Sequence, residues 1–270
     1  MIGVVKIGGA SGNKLEPLMR ELSGRTAKGE KWVLVHGASG IMDELCLKQG
    51  LEIHIITSPT GYRSRFVGEK ERELFREAAL SYGHKIKNIL ASNGMHAEQI
   101  DPERVSYVTA KRKDVLREQI NGRTRILRGN YSGTVTYVNR DEIMDRLENG
   151  IIPILPPLGL DTESGLSLNI DGDRLAASVA GAINADILMI LSNVPGLMRD
   201  IDDSDTLIRS NASAGSWEVL EHYAKGNMKR KLTACREALD SKVGHVYLAD
   251  GRVSTPIENA LGGNATCLTI

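Results

Sequence analysis

The sequence has 270 residues, with 34 Lys and Arg set against 34 Asp and Glu, so its formal net charge at pH 7 is zero. Its hydrophobic fraction of 41% supports a sizeable core and excludes a disordered chain. No run of about 18 apolar residues could span a membrane, and Lys6 interrupts any signal peptide. We therefore expect a cytoplasmic protein with reduced cysteines, no membrane association and no general nucleic-acid binding.

Short apolar runs alternate with helical segments along the chain. The predicted strands are Ile2–Ile7, Lys31–His36, Val105–Ala110, Thr134–Asn139, Ile151–Leu155, Asp186–Leu191 and Gly244–Ala249. The predicted helices are Val67–Leu90, Gly172–Asn184 and Met228–Ser241. The segment 187–191 is apolar throughout, as in a parallel strand covered by helices on both faces. The alternation predicts an α/β fold, a three-layer αβα sandwich with a mainly parallel open sheet.

One segment departs from this alternation. Between Ser106 and Asn139, an Asn121-Gly122 turn separates two extended runs, which predicts a β-hairpin set off from the helices. Neither a repeat nor a Pro/Ser-rich linker divides the sequence, so residues 1–270 are expected to form one continuous domain.

Ligands of open α/β sheets bind at the carboxyl ends of the strands, so the residues that follow each strand matter most. The first strand carries Lys6 and ends in Gly8-Gly9-Ala10, which offers a buried cation and accessible backbone amides to an anion. The second ends in His36-Gly37-Ala38-Ser39-Gly40 and repeats the design. Two such loops predict two anions brought together, although an edge-strand lysine followed by a tight glycine turn remains the alternative.

Three further segments carry polar groups at strand ends or helix starts. Asn169-Ile170-Asp171-Gly172-Asp173 precedes an Ala-rich helix, either as a simple N-cap or as a site where Asn binds substrate and Asp orients cations. Lys229-Arg230-Lys231 places three cations at a helix start, where the dipole disfavours them, and this indicates a bound polyphosphate or a solvated face. Ser192–Leu197 is a turn that closes the most apolar strand.

Taken together, these segments resemble the amino acid kinase family, specifically its acetylglutamate kinase branch, from Val4 to about Gly262. Within that branch the chain is most similar to kinases whose substrate is attached to a small acidic amino-group carrier protein, LysW. The stretches that carry the resemblance are Gly61-Tyr62-Arg63-Ser64-Arg65, Arg128-Gly129-Asn130-Tyr131-Ser132-Gly133-Thr134-Val135, Ser192-Asn193-Val194-Pro195-Gly196-Leu197, Met228-Lys229-Arg230-Lys231 and Ala249-Asp250-Gly251-Arg252-Val253.

The resemblance implies a role for each matching residue. Lys6 and Lys231 would stabilise the transferring phosphoryl group, with Asp173 orienting them. Amides of Gly8 and Gly9 would face the nucleotide phosphates, bordered by Ser192, Asn193, Gly196 and Lys229. Gly37 and Ala38 would receive the acceptor carboxylate, while Arg63, Arg65 and Asn169 bind the rest of the acceptor. It also implies ATP with Mg²⁺ held mainly through the nucleotide phosphates, no protein metal site, a homodimer, an acceptor lobe over about 1–168 and a nucleotide lobe over about 169–270.

Two positions depart from the pattern of acetylglutamate kinases. Ala38 stands where a second glycine usually follows His-Gly, and Asn193 stands where an aspartate is usual. The carrier-linked kinases resemble this chain at Asn193, so we interpret that departure as a mark of the subtype. The methyl group of Ala38 either narrows the acceptor pocket or points away from it.

A local charge surplus gives independent support for an acidic carrier. From Arg104 to Arg128 there are eight cations against Asp114 and Glu118. Such a basic surface can steer an acidic partner, whereas a solvated hairpin with incidental charge is the plain alternative. Nucleic acid is a weaker interpretation because aromatic residues make up only 4% of the chain. The proposed carrier-binding patch contains Lys111, Arg112, Lys113, Arg123 and Arg125.

The expected function is therefore ATP-dependent phosphorylation of the side-chain carboxylate of carrier-bound 2-aminoadipate, glutamate or both, in lysine and arginine biosynthesis. A free N-acetylglutamate kinase is the alternative within the same class. A regulatory module that binds nucleotide or amino acid without turnover is the alternative from another class. Retention of Lys6, Asp173 and Lys231 together argues against that module, since a sensor has no need of all three.

Overall fold

The structure is a computed structural model that describes residues 1–9, 14–59, 61–214 and 216–270. Ala10, which follows the first glycine pair, lies outside the described residues. The strands in chain order are β1 Ile2–Ile7, β2 Lys31–His36, β3 Ile55–Thr57, β4 Arg63–Arg65, β5 His96–Gln99, β6 Val108–Arg112, β7 Leu116–Ile120, β8 Arg123–Leu127, β9 Gly133–Val138, β10 Ile151–Leu155, β11 Leu158–Asp161, β12 Ser167–Asn169, β13 Ile187–Ser192, β14 His245–Asp250 and β15 Thr266–Leu268.

The helices connect these strands; α1 crosses over between the parallel strands β1 and β2, and α6, α7 and α8 lie between the parallel strands β13 and β14. They are α1 Leu15–Thr26, α2 Ser39–Lys48, α3 Glu69–Ser92, α4 Arg140–Glu148, α5 Gly172–Ala182, α6 Asn211–Ala214, α7 Trp217–Tyr223, α8 Asn227–Asp240 and α9 Pro256–Leu261, with a 3₁₀ turn at Ser204–Thr206. None of the helices in the described ranges is both long and apolar enough to cross a membrane.

Seven strands form the main sheet in the order β15-β14-β13-β1-β2-β10-β5. All neighbours run parallel except β15, which pairs antiparallel with β14. The order places β1 at the centre, between β13 on one side and β2 on the other. The carboxyl ends of β1, β2, β13 and β14 therefore meet along one edge, where a ligand can contact all four.

Helices cover both faces of this sheet, as the apolar strands predict. Along β1, Val4 packs into a core on the face covered by α4, α5 and α8, while Val5 packs into a second core beneath α1, α3 and α9. Successive side chains of a strand point to opposite faces, so a strand buried on both sides needs continuous apolar residues. The six residues of β13 are all buried. The predicted three-layer αβα sandwich is confirmed.

The predicted excursion between Ser106 and Asn139 is confirmed as two nested hairpins. An outer pair, β6 and β9, joins a four-stranded sheet in the order β12-β11-β6-β9, and an inner pair, β7 and β8, closes at Asn121-Gly122. Both turn residues have positive φ, 48° at Asn121 and 77° at Gly122, as a two-residue hairpin turn requires.

The predicted strand at Val105–Ala110 begins too early. In the structure, the carbonyl oxygen of Asp101 accepts hydrogen bonds from the amides of Arg104 (3.0 Å) and Val105 (2.9 Å), which makes this stretch a turn. The strand β6 consequently starts at Val108. The apolar character of Val105 and Tyr107 extended the prediction, although the backbone there is committed to the turn.

Candidate active site

Two glycine loops touch at the centre of the sheet edge. The amide of Gly37 donates to the carbonyl of Ile7 (2.9 Å), and the amide of Gly40 donates to the carbonyl of Gly9 (2.7 Å). A Cβ on Gly9 would lie 2.3 Å from the Ala38 nitrogen, and one on Gly37 would lie 2.6 Å from the Gly9 nitrogen. Only glycine allows this approach, which brings the two predicted anion loops into direct backbone contact.

Three charged side chains form a buried network beside these loops. Asp173 lies between two lysines, with its Oδ1 atom 2.7 Å from Lys6 Nζ and its Oδ2 atom 3.0 Å from Lys231 Nζ. Lys6 comes from the central strand, Asp173 from the first turn of α5 and Lys231 from the first turn of α8. The structure thus brings together the three residues predicted to be catalytic, which are separated by more than half of the chain.

The electrostatics of this network favour a surplus of positive charge. Burial alone would raise the pKa of Asp173, but Lys6 and Lys231 outweigh it and hold that pKa well below the ordinary range. Burial, followed by repulsion from Lys6, lowers the pKa of Lys231. One carboxylate shared by two lysines leaves a cationic pair that an incoming phosphate can neutralise. The arrangement suits the stabilisation of a transferring phosphoryl group.

The start of α5 is shaped to hold Asp173 in place. Asp171 caps the helix, since its Oδ1 atom accepts from the amides of Asp173 (3.0 Å) and Arg174 (3.2 Å). A Cβ on Gly172 would lie only 3.3 Å from Lys6 Cε, so glycine leaves room for the lysine stem. Asp171 thus supplies the N-cap, and Asp173, two residues later, contacts both lysines, while substrate binding by Asn169 stays a prediction.

Among the residues predicted to bind the acceptor, Arg65 is connected to the second glycine loop through the helix that follows it. Arg65 forms an ion pair with Asp43 of α2, the helix that follows Gly37 and Ala38. The methyl group of Ala38 is buried in a cluster with residues of α2 and α3, so it points into the core. Asn169 is half-buried at the end of β12, and Arg63 is exposed on β4.

The residues predicted to border the nucleotide lie after β13 and at the start of α8. Ser192 Oγ donates to the Val194 carbonyl (3.2 Å), which tightens the turn. A Cβ on Gly196 would lie 2.4 Å from Thr266 Oγ1, so the turn packs closely on β15. Asn193 and Lys229 are exposed.

The basic hairpin divides into free and engaged cations. Lys111, Arg123 and Arg125 are exposed and form no ion pair with any residue that the structure describes. Arg112 is engaged, because its guanidinium carbon lies 3.7 Å from the Tyr131 ring centroid and its Nε donates to the Asn130 carbonyl (2.8 Å).

Two further residues change the hairpin charge that the sequence suggests. Lys113 borders a cavity of about 250 Å³ that it shares with Asp171, Arg174 and Glu237 of the helical side. Glu118 is buried, with Oε1 3.4 Å from His54 Nε2, so it neutralises little of the exposed surface. Lys113 is nevertheless exposed, so the basic surface of the hairpin keeps it and is less offset by acid than the sequence suggests.

Sequence reasoning did not single out Tyr62 and Arg230, although both lie in stretches that carry the family resemblance. They lie on either side of the cleft between the hairpin of β3 and β4 and the start of α8. The guanidinium of Arg230 contacts the ring of Tyr62 across this cleft. The guanidinium carbon lies 5.7 Å from the ring centroid. An aromatic residue amid the cations of Gly61–Arg65 was the available signal. It could not be interpreted without knowing which element it faced.

His36, at the end of β2, is fully buried beside the second glycine loop. Its Nδ1 lies 3.0 Å from the Gly37 carbonyl oxygen, and its Nε2 has no hydrogen-bond partner among the described residues. The neutral ring donates from Nδ1 and so steadies the second glycine loop. Burial, assisted by repulsion from Lys6, lowers the pKa of His36 to about 4.

This pKa predicts a pH dependence of stability. Between the folded value of about 4 and the unfolded value of about 6.5, the unfolded chain binds more protons, so stability falls as the pH falls. We expect His36 to remove about 2 kcal/mol of unfolding free energy between pH 7 and pH 5. Urea unfolding of wild type and His36→Asn at both pH values tests this, because asparagine keeps a donor but does not titrate.

The control for this prediction is His84→Gln, which removes an exposed histidine from α3 and should keep the wild-type pH slope. Asp173 adds nothing in this window. Its folded pKa is depressed, so its stabilisation is present above its unfolded pKa of about 3.9 and is lost only at lower pH. An unchanged slope in His36→Asn would contradict the assignment.

A buried Lys–Asp–Lys network beside two amide-lined loops defines a phosphotransferase site. The sequence matches the amino acid kinase family over residues 1–250. The chain therefore belongs to the amino acid kinase family, as its motifs indicate, and it is an enzyme of that class.

Several known proteins are similar to this chain over nearly its whole length. The chain is 36% identical over 267 residues to a [LysW]-aminoadipate kinase of Deinococcus radiodurans, covering 98% of this chain and 91% of that protein. It is 33% identical over 266 residues to the [LysW]-aminoadipate kinase of Thermus thermophilus, covering 97% and 98%. The crystal structure of smu.665 from Streptococcus mutans UA159 superposes with a TM-score of 0.75 at 24% identity, covering 99% and 98%, and this likeness supports the fold.

Proposed function

We propose that this enzyme transfers the γ-phosphoryl group of ATP to the side-chain carboxylate of 2-aminoadipate, glutamate or both, held on the carrier protein LysW. The product is an acyl phosphate that serves lysine biosynthesis, and arginine biosynthesis when glutamate is the acceptor. Residues of about 1–168 bind the acceptor and residues of about 169–270 bind the nucleotide. We place the reaction in the cytoplasm and expect a homodimer.

The observation that carries this proposal is the Lys6–Asp173–Lys231 network, in a chain similar over nearly its whole length to two kinases named for [LysW]-aminoadipate. The network supports phosphoryl transfer, and the names of the relatives support the acceptor. The exposed cations Lys111, Arg123 and Arg125 give charge complementarity to an acidic carrier.

The chemistry needs little covalent help from the protein. A carboxylate acceptor is already ionised at pH 7, so no general base is required. One carboxylate oxygen attacks the γ-phosphorus while the bond to the β–γ bridging oxygen breaks, and ADP leaves with that oxygen. Lys6 and Lys231 offset the charge on the transferring oxygens, and the two glycine loops hold the two reactants in line.

Magnesium fits this site as a companion of the nucleotide. Among the described residues, no group of three or more His, Cys, Asp or Glu side chains comes together to hold a metal. Asp173, the carboxylate of the site, is already shared by two lysines. We propose that Mg²⁺ is held mainly by the ATP phosphates, where it neutralises charge on the leaving diphosphate.

The decisive experiment is a hydroxamate assay with ATP and Mg²⁺ on three acceptors: free N-acetylglutamate, carrier-bound glutamate and carrier-bound 2-aminoadipate. We expect acyl phosphate only from the carrier-bound acids. The ratio of the two turnover rates distinguishes lysine from arginine biosynthesis. The measurement must decide between them, because one methylene is worth only about 1–3 kcal/mol in a pocket. Turnover of N-acetylglutamate alone would replace the proposal with a free acetylglutamate kinase.

A second arm of this assay tests the basic hairpin. Reversing Lys111, Arg123 and Arg125 to Glu should raise the KM for the carrier-bound acid about 10-fold, an effect that shrinks as salt is added. The KM for ATP should stay the same. The matched control reverses three exposed lysines elsewhere, Lys28, Lys85 and Lys87. Equal effects of the two triple variants would remove the hairpin from the proposal.

A further inference from the structure

The hairpin of β3 and β4 reaches across the cleft to the nucleotide side. Its tip is held by two hydrogen bonds, from the Ser58 amide to the Tyr62 carbonyl (2.8 Å) and from the Tyr62 amide to Ser58 Oγ (3.0 Å). This conformation presents the Tyr62 ring to Arg230, whose guanidinium carbon lies 5.7 Å from the ring centroid. Tyr62 retains 38% of its surface, so the contact lies at the mouth of the cleft.

Arg230 lies in α8, immediately before Lys231, and its side chain also reaches the cap of α5. Its Nη2 donates to Asn227 Oδ1 (2.9 Å) at the beginning of α8. The chain turns into this helix at Gly226, which has a φ of 54°. Arg230 Nη1 lies 3.7 Å from Asp171 Oδ2, the carboxylate that caps α5. One side chain therefore contacts the helix that carries Lys231, the cap of the helix that carries Asp173, and the hairpin tip.

The base of the same hairpin is fixed to the acceptor side. Arg65 pairs with Asp43 of α2, directly after the second glycine loop, and the Phe66 amide donates to the His54 carbonyl (2.9 Å). The hairpin is thus anchored at its base next to the acceptor carboxylate site and at its tip next to the phosphoryl-stabilising lysine. It joins the two sides through side-chain contacts.

We propose that the contact of Tyr62 with Arg230 is a latch that couples acceptor binding to nucleotide binding. An acceptor that engages Arg63 or Arg65 orders the hairpin, which sets Tyr62 against Arg230 and holds the starts of α8 and α5. Bound ADP or ATP orders the same helices from the other side. Tyr62 and Arg230 are positioning residues, because they act through Lys231 and Asp173 and not on the reacting atoms.

A coupling of this kind is reciprocal and can be measured without turnover. Titration calorimetry gives the Kd of ADP with and without saturating carrier-bound 2-aminoadipate. A cation–π contact at a partly exposed site corresponds to about a 2- to 5-fold effect, so we expect the acceptor to tighten ADP binding by that factor in the wild type. Tyr62→Leu and Arg230→Gln should each remove the coupling, and the double variant should behave like either single one. Tyr62→Phe should keep it, because the ring is retained.

The matched control lies on the same helix. Arg236 faces the Trp217 ring at 5.5 Å and pairs with Glu221 at 3.6 Å, a contact of the same kind away from the cleft. Arg236→Gln and Trp217→Leu should keep the wild-type coupling. A merely structural role for Tyr62 would lower thermal stability and leave the coupling intact.

The inference rests on the proposed function, which places the acceptor beside Arg63 and Arg65. Different results would overturn the carrier proposal and the latch. If the wild type forms no acyl phosphate on carrier-bound acids, the carrier proposal fails, and the coupling is measured with N-acetylglutamate instead. If the acceptor that is phosphorylated leaves the Kd of ADP unchanged in the wild type, or if Tyr62→Leu keeps the coupling, the latch is overturned whatever the acceptor is.

Discussion

Replacement of Lys231 by Ala is expected to lower kcat by about 10²- to 10³-fold, because a preorganised cation acting on the transferring oxygens is worth about 3–4 kcal/mol. The KM for ATP should rise only modestly, since Lys6 and the amide-lined loops remain. The variant should fold, because Asp173 keeps its shorter contact with Lys6 at 2.7 Å. The loss therefore belongs to the transition state and not to ground-state binding.

Steady-state hydroxamate kinetics measure this loss, with thermal unfolding as the check on folding. Lys85→Ala, which removes an exposed lysine from α3, is the control and should keep the wild-type rate. Turnover within a few-fold of the wild type in Lys231→Ala would show that the assignment is wrong. That outcome would indicate that Lys231 serves only to hold α8 against the centre of the sheet through Asp173.

Gly9→Ala is expected to lower kcat/KM by about 10²-fold, since a displacement of about 1 Å at a reacting site has that cost. The new Cβ would lie 2.3 Å from the Ala38 nitrogen, which is backbone and cannot swing aside. The two glycine loops must therefore separate. Because one loop is proposed to hold each reactant, the attacking and transferring atoms move apart.

Gly24→Ala provides the matched control. Gly24 lies in α1, and a Cβ there would meet no atom within 4 Å outside the helix's own backbone. Alanine should stabilise the helix by about 0.5–1 kcal/mol and leave kcat/KM unchanged. A Gly9→Ala enzyme that binds both substrates and reacts at the wild-type rate would contradict the view that the loops must touch.

The central sheet was predictable from sequence because its signal is local. A strand buried on both faces must be continuously apolar, and β1, β2 and β10 coincide with their predicted ranges. Lys6, Asp173 and Lys231 were also predictable, since each stands where a strand ends or a helix starts. Their meeting at 2.7 Å and 3.0 Å follows from the strand order, which sequence patterns supply only through resemblance.

The hairpin of β3 and β4 was not predictable from its pattern. Its strands have three residues each, Ile55–Thr57 and Arg63–Arg65, too short for alternation to show. The different roles of Arg112 and Lys113 were equally hidden. These two residues are neighbours in the sequence and carry the same charge, but Arg112 stacks on Tyr131 whereas Lys113 borders a cavity. Only tertiary packing gives them different contacts.

The touching glycine loops also determine where substrate length can vary. In the proposed site, main-chain contact between these loops sets the separation between the carboxylate being phosphorylated and the phosphate being transferred, so only a substitution at the touching glycines themselves, Gly9 and Gly37, would change that distance. An acceptor longer by one methylene must find its extra room at its far end, near Arg65 and the hairpin. Selection for a different substrate length can therefore act on that edge of the pocket without altering the reaction geometry.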